Sequence, residues 1–189
     1  MLSQLLILAL LTGPAQPPAP KDGPFYPLQV GNAWHYKVGD KKATMKVVAM
    51  EKIGDLMTSR IETIVDGNVS ANENIAQTAG GLMRVAVDGE KYSKPIMFLK
   101  LPPMKGESWN VDSKIPGTAL KGKFVAGDDE IEVAAGKFKC ATSSGELQIN
   151  GQPAQFGYWF APNVGIVRLT MKVGGMELTW DLQKFEPAK

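Results

Sequence analysis

A chain of 189 residues, 44% hydrophobic and 21% charged, is long enough for one domain with a substantial core. Its 21 basic and 19 acidic residues nearly cancel, to a formal charge of +2, and the basic ones are scattered, which excludes the basic stripe of a nucleic-acid binder. One cysteine excludes an intramolecular disulfide and a cysteine zinc cluster, and one histidine excludes a histidine-rich metal site.

The chain begins with an apolar run from Leu2 to Leu11, and its first charged side chain is Lys21. Such a run is too short to span a bilayer but suits the core of a signal peptide. Gly13 and Ala15 stand where small residues flank a cleavage site, so residues 1–15 read as a signal peptide. Two features depart from the usual pattern: no Lys or Arg precedes the run, and Pro14 sits between the small residues. The alternative is a buried N-terminal helix, which the Gly and Pro residues directly after the run disfavour. No cysteine stands near the run to take a lipid anchor. Residues 16–25, with Pro17, Pro18 and Pro20, read as a flexible segment, and 26–186 as a single β domain. Export makes the expected location secreted or periplasmic, and no later segment has the length and hydropathy of a transmembrane helix.

From Trp34 onward the apolar residues recur with period two, the signature of half-buried strands. Trp34, Tyr36 and Val38 share one face and His35 and Lys37 the other. Ala43 to Ala49, Met57 to Val65 and Met83 to Val87 alternate in the same way, with Arg84 and Ala86 between the last set. The stretch 95–109, PIMFLKLPPMKGESW, has three prolines and no alternation, and reads as a long connection across one end. Leu120, Phe124 and Ala126 alternate with lysines, and Met176, Leu178, Trp180 and Leu182 form the clearest strand. Asp66-Gly67, Asp88-Gly89, Asn150-Gly151 and Gly174-Gly175 read as tight hairpin turns, where positive φ is required. No amphipathic helix stands out. The expectation is an all-β domain of ten or more antiparallel strands: a curled sheet, an open (half) barrel or a sandwich. PLQVGNAW (27–34) and PPMKGESW (102–109) echo one another, each a turn leading to a strand whose first inward residue is Trp.

Chemistry-bearing residues are few. His35 lies opposite the aromatic face, beside no partner with which it would form a catalytic set. Cys140 shares an inward face with Phe138 and Thr142, where a thiol acts as a small hydrophobe. Asp128, Asp129 and Glu130 follow a glycine and read as a solvated hairpin tip, without the alternating oxygen ligands of a calcium loop. No phosphate loop or nucleophile elbow is found. The sequence therefore yields no catalytic, cofactor or metal residues. Four Trp and nine Met supply much polarizable apolar surface, either as core or as the lining of an apolar pocket.

Three stretches carry a family likeness. YPLQVGNAWHY (26–36), EIEVAAGKFKCATSSGEL (130–147) and YWFAPNVGIVRL (158–169) resemble, in order and spacing, units found in exported or lipid-anchored bacterial envelope proteins. The resemblance extends loosely to TapB-like proteins and LolA/LolB-like half-barrels. It implies an exported β half-barrel or curled sheet and no catalytic residues. The expected function is non-enzymatic binding of an apolar ligand, a lipid or acyl chain, in a sheet concavity. The alternative is a structural or protein-interaction module of the envelope.

Overall fold

A computed structural model describes residues 23–189; the expected signal peptide and most of the Pro-rich segment lie outside them. The described chain holds twelve strands: β1 (Ala33–Val38), β2 (Lys41–Ile53), β3 (Leu56–Val65), β4 (Asn68–Thr78), β5 (Gly81–Val87), β6 (Glu90–Lys100), β7 (Ser108–Ile115), β8 (Thr118–Val133), β9 (Gly136–Ile149), β10 (Gln152–Ala161), β11 (Gly165–Val173) and β12 (Met176–Glu186). No helix occurs among the described residues. All strands belong to one antiparallel sheet in the order β6-β5-β4-β3-β2-β1-β12-β11-β10-β9-β8-β7. The expected all-β antiparallel fold is thus a nearly closed barrel. Two six-stranded meanders, β1–β6 and β7–β12, join through the β1/β12 ladder.

Local sequence sets the turns. At each of the four expected turn pairs both residues have positive φ: 50° and 83° at Asp66-Gly67, 48° and 82° at Asp88-Gly89, 51° and 81° at Asn150-Gly151, 58° and 83° at Gly174-Gly175. These are hairpin turns whose twist matches that of the strands they join.

The stretch 95–109 departs from expectation. Its first part completes β6, and the connection proper is short, beginning at the cis Leu101–Pro102 bond. Pro95 is accommodated because residues 92–95 of β6 stand opposite Val85 alone, a bulge where no ladder N–H is needed.

The sheet ends, β6 and β7, face one another without a backbone ladder. Side chains stitch the seam. The Ser113 hydroxyl donates to the Lys94 carbonyl (2.6 Å) and accepts from the Lys94 N–H (3.3 Å), and Ser93 accepts from the Lys114 N–H (3.1 Å). The Trp109 indole donates to the Met97 carbonyl at 2.8 Å.

Inside, the wall carries Trp34, Tyr36, Phe98, Phe124 and Phe160, all at most 2% exposed. Outside, positions such as Lys46, Lys121 and Glu146 are exposed. This polarity is the reverse of a porin-like barrel, whose lumen is polar and whose outer wall is apolar.

One end is plugged by the chain preceding β1. Tyr26 is 1% exposed and packs on Trp34 (ring centroids 4.9 Å) and Phe160 (6.4 Å). Main-chain bonds pin this segment: Asn163 N–H to the Pro24 carbonyl (2.8 Å), the Ser59 hydroxyl to the Leu28 carbonyl (2.9 Å) and Gly31 N–H to the Val47 carbonyl (2.9 Å). The echoed motifs build one device twice. Gly106 N–H bonds the Ala126 carbonyl on β8 as Gly31 does Val47 on β2, and each motif's Trp donates its indole N–H to a main-chain carbonyl.

Candidate functional site

The opposite end of the barrel, formed by the six hairpin turns, leads into an unfilled lumen. A cavity of about 330 Å³ runs inward from it, between β2–β6 on one side and β10–β12 on the other. That volume is at the lower end of the ~300–1,000 Å³ usual for ligand pockets. Most of its wall is apolar: Met45, Val65, Phe156, Leu169, Met171 and Trp180 project into it. Strand alternation places them. Phe156 stands opposite Met171, Tyr158 opposite Leu169 and Leu169 opposite Trp180, all on the inner face.

Within this apolar wall lies an ion pair, from Nε of Arg84 on β5 to Oε2 of Glu73 on β4. Arg84 also stacks over the Phe98 ring, its Cζ 5.4 Å from the centroid. The side chains keep 22% and 17% exposure, and both line the cavity. Burial pulls the Arg84 guanidinium down, but attraction to and hydrogen bonding with Glu73, together with Tyr158 and Tyr92, outweigh it and hold the group above its ordinary value. Burial raises the Tyr92 hydroxyl at the cavity wall, and raises Tyr26 and Tyr36 deeper in the barrel, so these phenols stay protonated.

The sequence did not single out Glu73, and it grouped Arg84 only as the alternate of an apolar set. Two irregularities turn Arg84 inward: register shifts at Asn74/Ile75 in the β4/β5 ladder and at Arg84/Ala86 in the β5/β6 ladder. A lone arginine inside Leu-Met-Arg-Val-Ala-Val was the available signal, because a strand otherwise apolar on both faces has no solvent side for a cation.

The residues weighed from sequence lie elsewhere. His35 is on the outer face, its Nδ1 3.0 Å from the Thr44 hydroxyl and its Nε2 3.3 Å from a Glu186 carboxylate oxygen. Cys140 is buried, but outside the barrel lumen. The β9/β10 register puts Ser143 and Gly145 on the side of Tyr158 and Phe156, and so Cys140 on the other. Burial pushes its thiol up to about 12, far from the thiolate a nucleophile requires.

Asp128, Asp129 and Glu130 are not a hairpin tip. They lie within β8, opposite Ala141, Cys140 and Lys139, and the turn follows at Ala134-Ala135. The β8–β9 hairpin is long enough to reach back over the outer wall. Asp129 accepts from the Trp159 indole on β10 at 2.9 Å, and Ala135 N–H bonds the Leu182 carbonyl on β12 at 3.1 Å. A broad depression of about 730 Å³ beside this hairpin is lined by Lys105, Asp128 and Lys139 among others. Most of its charges are already engaged: Lys105 pairs with Asp128 (3.1 Å), Glu130 with Lys137 (2.9 Å), and Asp129 accepts from the Trp159 indole. Among the described residues no three His, Cys, Asp or Glu side chains form a group able to hold a metal.

No protein-family model and no curated protein matches the chain. Solved structures do. One, of a chain from Parabacteroides distasonis with a provisional lipoprotein name, is 14% identical with a TM-score of 0.53, over 87% of this chain and 99% of that one. Another, from Bacteroides fragilis, is provisionally named an exported protein with a YmcC-like fold; it is 14% identical with a TM-score of 0.57, over 87% of this chain and all of that one. At this identity the likeness is one of fold. It agrees with a fold found among exported envelope proteins, and gives no support to the narrower link with TapB-like or LolA/LolB-like proteins.

Proposed function

We propose that the chain is an exported, non-enzymatic β-barrel protein, secreted or periplasmic after loss of residues 1–15, that holds an apolar ligand such as a lipid or acyl chain in its lumen. The observation that carries this is the cavity itself: a barrel filled by its own side chains would leave none, whereas here about 330 Å³ stays open between apolar walls. Exposed Val69 (57%) and Met176 (63%) beside the turns of the same end add apolar surface where a chain would enter. An interaction module would instead use an unpaired strand edge; here the two sheet edges are occupied with each other across the seam.

Native mass spectrometry of the protein recovered from outside the cytoplasm tests this. It should report an N-terminus close to residue 16 and a bound mass that organic solvent extracts. Ala71 lines the cavity, so Ala71→Phe should abolish the bound mass while leaving the circular dichroism spectrum unchanged. A wild-type protein that carries no adduct and takes up no added acyl chain would overturn lumen binding.

A further inference from the structure

We infer that the lumen selects a single-chain amphiphile whose head is uncharged and both donates and accepts hydrogen bonds, such as an alcohol or a monoacylglycerol, and that Glu73 and Arg84 together read that head. The inference rests on lumen binding and specifies its ligand class.

Charge comes first. Of the side chains lining the cavity, only Glu73 and Arg84 are ionised, and they cancel. An ionic head drawn in beside them would be one uncompensated charge in an apolar enclosure, where burying an ion without a partner is strongly unfavourable. A carboxylate would meet Arg84 only by displacing or facing Glu73, and a quaternary ammonium would meet the reverse.

Hydrogen bonding comes second. The pair is joined through Nε of Arg84 and Oε2 of Glu73, which leaves the guanidinium Nη donors and the Oε1 acceptor without a partner among the described residues. Neither side is a sealed, orphaned atom; both side chains retain surface on the cavity. The Tyr92 hydroxyl, on the same wall, is a further donor or acceptor. A hydroxyl head fits this set, since it accepts from Arg84 and donates to Glu73 at once.

Size comes third. At about 330 Å³ the cavity has room for one acyl chain and not for the two of a diacyl lipid. Mid-strand positions of Glu73 and Arg84 set the polar pair at its inner part, while Val65, Val87 and Met171 stand near the turn end. The head would therefore enter first.

The test uses a matched series on the full chain: dodecanol and monolaurin, dodecanoate at mildly alkaline pH, and dodecyltrimethylammonium, each below its micelle concentration. Binding is followed by calorimetry and by tryptophan emission, since Trp180 lines the cavity. The neutral heads should bind about tenfold or more tighter than either ion, a gap of ~1.4 kcal/mol. Glu73→Gln should move the preference to dodecanoate by about tenfold, and Arg84→Gln should move it to dodecyltrimethylammonium. Equal affinity for all heads in the wild type, or an unshifted preference in folded variants, overturns the head-group inference and leaves lumen binding standing. No binding of any member overturns both. The wild-type series needs no variant to fold.

Discussion

The Glu73–Arg84 pair allows a quantitative test on the free protein, without any ligand. Replacing Arg84 by Met strands a carboxylate in an apolar wall, and replacing Glu73 by Gln strands a guanidinium that stays charged. Breaking a fully buried pair costs about 3–5 kcal/mol. Here the side chains keep 22% and 17% exposure through the cavity, so water relieves part of the penalty and roughly 1.5–3 kcal/mol per single variant is expected. For a domain of this length each kcal/mol lowers Tm by about 2–4 °C, which puts either variant roughly 3–12 °C below wild type. The double variant, Met and Gln in contact, leaves no charge unsolvated and should fall within about 1 kcal/mol of wild type. The cycle then yields a coupling energy of roughly 2–6 kcal/mol, the sum of the two single losses less that of the double variant. Thermal and urea unfolding of the four proteins measure it. Additivity of the singles within about 0.5 kcal/mol would refute the placement of these charges in a low-dielectric lumen.

Trp34 should be the most damaging single truncation near the plug: it is fully buried, stacks on Phe185 (5.4 Å) and donates to the Val164 carbonyl at 2.5 Å. Trp34→Ala should cost about 3–5 kcal/mol, seen as a urea midpoint lowered by roughly 1 M or more, whereas Trp34→Phe should lose about 1–3 kcal/mol through the unpaired carbonyl; a Trp34→Phe midpoint equal to that of wild type would contradict the hydrogen bond's role. Cys140, with its thiol pushed up to about 12 by burial, should resist Ellman's reagent in the native protein and react fully in denaturant, and rapid native labelling would show that the thiol is not shielded. The Asp129 carboxyl is held below its ordinary value chiefly by the hydrogen bond from Trp159. A depressed folded-state value means that its contribution is present above the ordinary carboxylate range and is lost as pH falls through the folded-state value. Acid titration of the emission difference between wild type and Asp129→Asn should therefore show a transition below the usual aspartate range, and a transition at or above that range would count against the bond.

Period-two alternation determined most of this protein at the level of sequence, because a strand with one face on a core must repeat every second residue. It placed Trp34, Tyr36 and the β12 residues on the inner wall, and Asp66-Gly67 or Asn150-Gly151 forced hairpins through their backbone conformations alone. Closure was a different matter. Whether twelve strands curl into a barrel depends on contacts between β6 and β7, which meet through Ser93, Ser113 and Trp109 and leave no local trace. Bulges were equally silent: one extra residue reverses every face after it, which is why Arg84 points inward and Pro95 sits inside a strand. The reach of the β8–β9 hairpin over β10–β12 turned Asp128–Glu130 from a presumed tip into mid-strand residues. The lumen pair was legible only as a lone arginine among apolar neighbours, because its partner Glu73 lies on the neighbouring strand and only strand register brings the two together. Local chemistry fixes strands and turns; the cavity and its charge balance come from where register and closure carry those strands.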